Sequence, residues 1–347
     1  MAKSLRKKAT SKAAANKQAR IKELEDEVKH LRRDADRVRK YRREAEHAKR
    51  EHAAAEVVAK ETELLLRDFH HSNFEMPTQK ARRAKSGESK VIMAFGDTHG
   101  CSLDLEAWRA FLDDVRDVKP DVIIHGGDVL DCDGWLAQHH TTNYVAQTAY
   151  SYADEVIAAN TMLDQLQAAA PQATIEIIEG NHDLRIETWA LTTTQKHRLD
   201  AQFLLDIIGP QRQLNIKERG IKWWSRGECH DDAVAGGTIK RGMVYFTHPQ
   251  RRGGKHAAST MASSFGRNTV YFHVHRRDYA CVSNIKGEEF GAWCPGCMCV
   301  KRKYWHHTDH FGHTQGYHLQ TVKPNGKFFG FNVPIIDGES YLSDLLR

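Results

Sequence analysis

The sequence predicts an α/β protein built on two mixed β-sheets, with a charged helical or coiled-coil arm before them. In the first half of the body, short apolar runs alternate with amphipathic helical patterns, which is typical of βαβ units and a parallel sheet. The second half is rich in short strands with short connections, which predicts a second sheet. A hydrophobic content of 40% in 347 residues is enough for a sizeable core.

The chain before the body is predicted to form an arm of three parts. The first 20 residues carry seven Lys or Arg and no Asp or Glu, so this basic tail cannot bury enough apolar surface to order itself. Beyond it, Ile21, Leu24, Val28 and Leu31 repeat in alternating steps of three and four, which is typical of a coiled-coil seam. The predicted boundaries are a disordered tail over 1–19, a charged helix over 20–68, a linker over 69–87 and a globular body over 88–347.

Positive charge is concentrated in the arm. Residues 1–85 hold 24 Lys or Arg against 14 Asp or Glu, whereas the remainder of the chain holds 27 against 31. The helix is expected to be a solvated oligomerising element, which would make the protein a homo-oligomer. For the basic tail, a solvated extension and nucleic-acid binding remain open alternatives, since positive side chains displace phosphate counterions whatever the sequence they meet.

Export and membrane insertion are not predicted. The basic start is followed by no apolar segment of the kind that a signal peptide has, and no aliphatic run approaches the length of a membrane span. We therefore expect a soluble, cytoplasmic protein without a membrane partner, whose seven cysteines are reduced thiols.

Each element of the body is predicted from its hydrophobic periodicity. Amphipathic patterns predict helices over 103–115 and from about 144 to 169. Apolar or alternating runs predict strands over 90–95, 121–125, 174–178, 223–224, 242–247, 269–272, 279–283, 317–322 and 327–331.

Five polar clusters follow these strands in a fixed order along the chain. They are Asp97-Thr98-His99, Gly127-Asp128, Gly180-Asn181-His182-Asp183, His248 and His273-Val274-His275. Because open α/β sheets place their sites at the carboxyl ends of strands, we expect these side chains to converge. Carboxylate, imidazole and amide donors together suit Mn²⁺, Fe or Zn²⁺ better than Ca²⁺. If two ions bind, one carboxylate has to bridge them, and Asp128, which follows two glycines, is the candidate.

Together the five clusters resemble the motifs of the calcineurin-like metallophosphoesterase family, over roughly residues 90–335. The resemblance implies a four-layer αββα sandwich and a phosphoester hydrolase with two divalent metal ions, Mn²⁺ first and Fe or Zn²⁺ as alternatives. It implies that one metal is held by Asp97, His99, Asp128 and His275, and the other by Asp128, Asn181, His248 and His273.

The same resemblance leaves His182 free of metal and makes it the proton donor to the leaving alkoxide. Asp183 is expected to assist catalysis by orienting His182 or a neighbouring ligand. For substrate binding, Arg185 can reach a phosphate group, and His139 belongs to a loop that can line the cleft.

Two features fall outside the resemblance. Pro249 follows the fourth motif and Phe272 precedes the fifth, and at both positions the family usually has glycine. Cys294, Cys297 and Cys299, with histidines nearby, form half of a zinc-knuckle pattern, but no second Cys-x-x-Cys completes it. A Pro-Gly turn between strands is the favoured interpretation of this segment.

The motifs favour the nuclease and phosphodiesterase branch of the family, which includes phosphoesterases of bacteriophage genomes. Protein phosphatases of the family typically carry an arginine in the second motif, whereas this chain reads Asp131-Cys132-Asp133 there. The predicted function is a phosphodiesterase or nuclease acting on nucleic acid, in which a hydroxide bridging the metals attacks phosphorus. A phage-encoded enzyme would act in the host cytoplasm. Two alternatives remain open: a small-molecule phosphatase or nucleotide hydrolase, and a coiled-coil nucleic-acid-binding scaffold with weak catalysis.

Overall fold

The computed structural model describes residues 87–132, 151–226, 236–249, 254–301 and 312–345. The predicted tail and charged helix, together with all of the linker except its last residue, lie outside these ranges and stay predictions. His139 lies outside them too. The described residues therefore belong almost entirely to the predicted body.

The described residues form twelve strands. These are β1 (Lys90–Phe95), β2 (Val122–His125), β3 (Thr174–Ile178), β4 (Lys222–Trp224), β5 (Thr238–Arg241), β6 (Val244–Thr247), β7 (Asn268–Tyr271), β8 (Arg277–Ser283), β9 (Glu289–Pro295), β10 (Gln315–Val322), β11 (Phe328–Ile336) and β12 (Glu339–Ser340). The helices among them are α1 (Leu105–Val118), α2 (Tyr152–Ala169), α3 (Arg185–Thr193), α4 (Arg198–Ile208), α5 (Pro210–Gln213), α6 (Ala257–Phe265) and α7 (Leu342–Leu345).

Two mixed sheets result, as the sequence predicts. The larger has the strand order β12-β11-β10-β1-β2-β3-β4, and its strands β1 to β4 run parallel. The smaller has the order β5-β6-β7-β9-β8. Its three inner strands β6, β7 and β9 run parallel, and the edge strands β5 and β8 pair antiparallel with their neighbours. The prediction of a parallel first half is therefore confirmed.

The last three strands join the larger sheet, although the sequence pattern assigned the strand-rich second half to a sheet of its own. β10 pairs antiparallel with β1, with Lys90 opposite Val322 and Ala94 opposite His318. All but one residue of β10 are buried, which is the environment of an inner strand and explains why it lies beside β1 rather than at an edge.

Side-chain alternation along β1 shows how the layers stack. Met93 and Phe95 pack into an apolar cluster with residues of α1 and α2, whereas Ile92 and Ala94 pack into a second cluster with residues of the smaller sheet. Because successive strand residues face opposite sides, the larger sheet has helices on one face and the second sheet on the other. A third cluster joins α6 to the outer face of the smaller sheet. The fold is a four-layer αββα sandwich.

Helix boundaries differ from the predicted ones where a capping side chain decides them. Asp104 accepts backbone N–H groups from Glu106 and Ala107, so α1 begins at Leu105 rather than at 103. Ser151 accepts the N–H of Asp154, so α2 begins at Tyr152, later than the predicted start near 144. Among the helices of the described residues, none has both the length and the apolar composition that a membrane span needs.

Candidate metal centre

The polar clusters lie where parallel strands end. Asp97 follows β1, Asp128 follows β2 and Asn181 follows β3 in the larger sheet, while His248 and His273 follow β6 and β7 of the smaller sheet. Parallel strands present their carboxyl ends at one edge, so each sheet delivers its polar side chains to a common edge. The two edges meet, and the seven predicted ligands come together there.

One group of donors contains Asp97, His99, Asp128 and His275, with one ligand atom of each within 4.8 Å of the others. His275 Nε2 lies 3.2 Å from Asp97 Oδ1 and 3.0 Å from His99 Nε2. Asp97, His99 and Asp128 are almost completely buried. Buried carboxylates and imidazoles at these separations are the donor set of a transition-metal or zinc site.

A second group contains Asp128, His248 and His273. His248 Nε2 lies 3.3 Å from Asp128 Oδ2. The amide oxygen of Asn181 belongs with them, since its Oδ1 is 3.0 Å from His248 Nε2 and 2.6 Å from His273 Nδ1. Two ring nitrogens, a carboxylate oxygen and an amide oxygen thus face one point.

Asp128 is common to both groups. Its Oδ1 accepts the backbone N–H of His182 at 2.8 Å, and its Oδ2 faces His248 at 3.3 Å and His99 at 3.9 Å. Gly180 leaves room for this carboxylate, because a Cβ atom there would lie 2.2 Å from Asp128 Oδ1. A single carboxylate therefore stands between the two sets of donors.

The backbone at these donors is strained. Asp97, His99, Asp128, His273 and His275 all have positive φ angles, between 52° and 82°. Residues other than glycine rarely adopt this left-handed backbone region, which costs about 1–3 kcal/mol for each residue. Such strain persists only where the surrounding structure holds it, and it is concentrated here at the donor positions.

Backbone hydrogen bonds hold the loops against each other. The N–H groups of Thr98 and His99 both donate to the carbonyl of Asp128, at 3.1 and 3.0 Å. The N–H of His273 donates to the carboxylate of Asp97 at 3.2 Å. The three loops that carry Asp97, Asp128 and His273 are thereby tied together across both sheets.

His182 lies beside the donors and takes no part in either group. Its Nδ1 is 2.8 Å from Asp131 Oδ1, and its Nε2 is 4.0 Å from Asp128 Oδ2. Burial lowers the pKa of His182, but the charge of Asp128 and the hydrogen bond with Asp131 outweigh burial, and the net pKa is raised. A proton on Nε2 would face the side chains of the two groups of candidate metal ligands.

The family model for calcineurin-like phosphoesterases matches residues 90–282, more than half of the chain. This chain belongs to that family. It is a hydrolase of phosphoester bonds, and the two donor groups form its candidate metal site.

Several solved structures are similar to this phosphoesterase at low identity. Vacuolar protein sorting 29 from Cryptosporidium parvum is 11% identical, with 73% of this chain and 94% of that chain covered and a TM-score of 0.34. A predicted phosphoesterase from Streptococcus pneumoniae is 13% identical (71% and 98% covered, TM-score 0.24). Yfce, a phosphoesterase from E. coli, is also 13% identical (71% and 100% covered, TM-score 0.29). No match is found among curated proteins.

The phosphoesterase accommodates Phe272 through two glycines. Phe272 is fully buried between the sheets, and a Cβ atom on Gly126 would lie 2.1 Å from its ring, while one on Gly96 would lie 2.9 Å away. Pro249 follows His248, whose Nδ1 donates to the carbonyl of Gly126 at 2.8 Å. Both departures from the usual glycines leave the histidines among the other donors.

Asp131 is a site residue that the sequence analysis did not single out. Besides its contact with His182, its Oδ1 lies 3.0 Å from Nδ1 of His99. One buried carboxylate thus orients the histidine of one donor group and the histidine outside both. Its position three residues after Asp128 was visible in the sequence, but its two partners are set by the fold.

His125 is a second residue of this kind. Its Nδ1 accepts the N–H of Gly127 at 3.1 Å, so its proton is on Nε2, which donates to Thr98 Oγ1 at 3.0 Å. Burial lowers the pKa of His125 to about 3, which keeps the ring neutral. The ring connects the loop of Asp97 with the loop of Asp128.

Asp183 supports the backbone of the site. Its carboxylate accepts the N–H groups of Gly180 at 2.9 Å, Leu130 at 3.0 Å and Val129 at 3.4 Å. Of the two roles expected for Asp183, its contacts match support of a neighbouring ligand, since its carboxylate holds the turn after Asp128, whereas the His182 ring is contacted by Asp131. Burial and the charge of Asp128 raise the pKa of Asp183 to about 6.

Arg185, the first residue of α3, lies beside His182. Its Nη1 donates to the carbonyl of Asp131 at 2.9 Å, and its Nη2 is 3.3 Å from His182 Nε2. The guanidinium therefore lies beside the candidate metal site, next to the His182 ring.

Proposed function

We propose that this phosphoesterase is a dinuclear metal-dependent phosphodiesterase that hydrolyses nucleic acid. The observation that carries the proposal is the position of Asp128, whose one carboxylate belongs to both donor groups. A site for a single ion would need only one of these groups. A bridging carboxylate is what two ions about 3.5–4 Å apart require.

The donor chemistry fits two divalent ions. One ion would be held by Asp97, His99, Asp128 and His275, and the other by Asp128, Asn181, His248 and His273. Oxygen and imidazole donors without a thiolate suit Mn²⁺, with Fe and Zn²⁺ as alternatives. Two ions bound there would polarise the phosphoryl group and supply a nucleophilic water at neutral pH.

The protein's own residues supply the remaining chemistry. His182, with its pKa raised, is protonated at neutral pH more readily than an ordinary histidine. Its Nε2 faces the site, where it would donate a proton to the leaving oxygen as the phosphoester bond breaks. Asp131 would hold the ring in this orientation through Nδ1, at 2.8 Å.

The choice of a diester rests on sequence features. The second motif continues as Asp131-Cys132-Asp133, without the arginine typical of the protein phosphatases of the family. The arm, over residues 1–85, carries 24 Lys or Arg against 14 Asp or Glu, which favours a polyanionic substrate. Nucleic acid combines both properties.

The test is hydrolysis of bis-nitrophenyl phosphate and of a single-stranded oligonucleotide by the full chain with Mn²⁺. His182→Ala is expected to lower turnover at least about a hundredfold, the scale of a lost acid–base group. Asp128→Asn is expected to lower it too, because it removes the carboxylate that both donor groups share. Asp200→Asn and His197→Ala are matched controls, because these two residues form an exposed surface pair with side chains 70% and 62% exposed. Wild-type turnover in the first two variants would refute the proposed site.

Metal stoichiometry tests the dinuclear part separately. Mass spectrometry of the native protein, or Mn²⁺ titration after chelation, is expected to give two Mn²⁺ ions that both depend on Asp128. Binding of one Mn²⁺ ion with unchanged affinity in Asp128→Asn would contradict the bridging role.

A phosphomonoesterase acting on small molecules or nucleotides is the second candidate. The observation that favours it is Arg185, whose Nη2 lies 3.3 Å from His182 Nε2 and can pair with the additional charge of a monoester. Turnover of mononitrophenyl phosphate above that of the bis ester, reversed by Arg185→Met, would favour this function over the first.

The arm is proposed to bind nucleic acid and to join chains into a homo-oligomer. Removal of residues 1–85 is expected to weaken oligonucleotide binding, mainly at low salt. It should also lower the number of chains per particle, obtained by sedimentation as the measured mass divided by the mass of one shortened chain. Turnover of bis-nitrophenyl phosphate should persist in the shortened chain. If turnover is marginal in both forms and binding is the main loss, the chain acts as a scaffold.

A further inference from the structure

A third group of metal donors lies beside the two already described. It consists of Cys297, Cys299, His313 and His275, with one ligand atom of each within 4.8 Å of the others. Both cysteines are fully buried, and the two histidines are half-buried. The proposed function uses neither cysteine and does not use His313.

The backbone brings these donors together through Thr314. The carbonyl of Thr314 accepts the N–H of Cys297 at 3.0 Å, and its own N–H donates to the carbonyl of His275 at 2.8 Å. The segment that carries His313 is therefore fixed between the segments of Cys297 and His275. Gly296 makes the approach feasible, because a Cβ atom there would lie 2.0 Å from the Thr314 carbonyl oxygen.

Cys299 is held from the opposite side. Its residue forms an isolated antiparallel bridge with Leu103, and the next residue, Val300, donates its N–H to the carbonyl of Ser102 at 2.9 Å. The side chain of Gln315 donates to the carbonyl of Cys299 at 3.1 Å. The donors thus sit on backbone that is fixed at both ends of the Cys-x-Cys turn.

The surroundings of the two thiols differ from those of the other buried cysteines. Cys294 packs in the apolar cluster under α6, and Cys132 packs in the cluster under α1 and α2. In the described part of the chain, neither Cys297 nor Cys299 belongs to any apolar cluster. Cys297 Sγ instead faces two carbonyl oxygens, of Cys299 at 3.7 Å and Thr314 at 3.8 Å. A buried cysteine that serves only as a small apolar side chain has apolar neighbours.

We propose that Cys297, Cys299 and His313 bind a Zn²⁺ ion next to the phosphoesterase metal site, with His275 at the fourth position. Two thiolates and two imidazoles are a tetrahedral donor set that suits zinc and excludes Mg²⁺, Ca²⁺ and Mn²⁺ as ordinary occupants. The two thiolate charges balance the charge of the zinc ion. Binding releases the two thiol protons, and His275, which would bridge the zinc and the phosphoesterase ion through its two ring nitrogens as an imidazolate, gives up its ring protons as well.

His275 gives this zinc a connection to catalysis. Its Nε2 lies 3.2 Å from Asp97 Oδ1 in the first donor group, and the same ring belongs to the thiol group. The ring of His313 lies next to it, with centroids 4.7 Å apart. A zinc ion on the thiol side would fix the orientation of the His275 ring, and it would therefore act on the phosphoesterase site as a positioning element.

The proposed zinc ligands differ from the half of a zinc-knuckle pattern that the sequence contains. The pattern Cys294-x-x-Cys297-x-Cys299 includes Cys294, which the fold places in an apolar cluster instead. The third donor, His313, is 14 residues beyond Cys299. The histidines between 302 and 311 lie outside the described residues.

The first test uses Co²⁺ as a spectroscopic probe in the full chain, after removal of metal under reducing conditions. Thiolate ligation gives a sulfur-to-cobalt charge-transfer band, which carboxylate and imidazole sites lack. The band is expected in the wild type and in Asp128→Asn, and it should disappear in the double variant Cys297→Ser with Cys299→Ser. With zinc, X-ray absorption should give Zn–S distances of about 2.3 Å.

His313→Asn and Cys281→Ser complete the experiment. His313→Asn leaves both thiols in place and should weaken zinc binding at least about tenfold, the lower end of what losing a metal-orienting group costs. Cys281 is exposed, so Cys281→Ser should leave zinc content unchanged. If the double serine variant fails to fold, the wild-type spectrum and His313→Asn still decide the matter.

Three results would overturn the proposal. They are absence of a thiolate band in wild-type protein, unchanged zinc affinity in His313→Asn, and a Cys297–Cys299 disulfide in protein purified from the cytoplasm. Because Asp128→Asn removes the phosphoesterase metals and leaves the thiols, failure of the proposed function and failure of the zinc site give different results.

Discussion

The ring of Phe272 covers Gly126 so closely that a Cβ atom on the glycine would lie 2.1 Å from Phe272 Cδ2. Gly126 precedes the turn that carries Asp128, and Phe272 precedes His273. The two residues therefore set the distance between the strand ends of the two sheets, and neither can change alone without moving a predicted metal ligand.

Gly126→Ala is expected to destabilise the protein by about 1–3 kcal/mol, the usual range for overpacking a close-packed core. Phe272→Ala should cost about 3–5 kcal/mol through the cavity that it leaves. In the double variant the added methyl group has space, so its loss of stability should be clearly smaller than the sum of the losses in the two single variants. Denaturant unfolding of all four proteins measures this coupling, and strict additivity would show that the contact is not the constraint.

Asp131→Asn is expected to lower the pKa of His182, because one of the causes that raise it is the hydrogen bond with this carboxylate. A general acid works only while protonated, so the alkaline limb of the activity profile should move to lower pH. The measurement is kcat against pH for bis-nitrophenyl phosphate, with metal content determined in parallel because Asp131 also contacts His99. An unchanged alkaline limb at full metal content would exclude His182 as the group that titrates.

Asp183→Leu is expected to destabilise the fold by several kcal/mol, because it leaves the N–H groups of Gly180, Leu130 and Val129 without their acceptor at about 1–3 kcal/mol each. Asp183→Asn keeps one carbonyl oxygen and should lose less. Thermal unfolding and Mn²⁺ affinity measured on both variants distinguish this structural role from a catalytic one. A variant with full stability and metal affinity but lost turnover would point to catalysis.

Metal-free protein is expected to lose stability as the pH rises. Burial lowers the pKa of each histidine, but the charge of Asp97 raises that of His275 to about 10, and the charge of Asp128 raises that of His248 to about 9. The unfolded value is about 6.5, so this stabilisation is complete below pH about 6.5 and is lost through pH 9 to 10. Unfolding of chelator-treated protein across this range measures the effect, and His248→Gln should reduce the slope.

The same protons compete with metal. Both rings have to lose a proton before they bind an ion, so Mn²⁺ affinity should rise with pH up to the same range, and binding should release protons. Calorimetry in buffers of different ionisation enthalpy counts them. Affinity that is independent of pH between 6 and about 9 would contradict the proposed ligands His248 and His275.

Much of the fold and the meeting of the predicted site residues could be predicted from the sequence, for one physical reason. Asp97, Asp128 and Asn181 each come directly after an apolar run, and parallel strands bring their carboxyl ends to one edge. The rule needs only the order of strands and polar clusters along the chain. It does not need the register, which is why it also places His248 and His273.

The parts that could not be predicted depend on contacts between distant segments. Asp131 acquires its role from His99 and His182, which approach it only in the folded chain. The pairing of β10 with β1 joins segments more than 200 residues apart. His313 likewise meets Cys297 only because Thr314 bridges two backbone segments, and no spacing rule anticipates that.

The positive φ angles of five predicted ligands have a consequence for the evolution of such proteins. At each of the five positions, a change to glycine would relieve backbone strain while it removes a donor. A descendant freed from selection for catalysis would therefore gain stability through the same substitutions that abolish its activity. In a lineage that has drifted in this way, glycine or asparagine at positions 97, 99, 128, 273 and 275 would record the loss of chemistry while the sandwich itself persists.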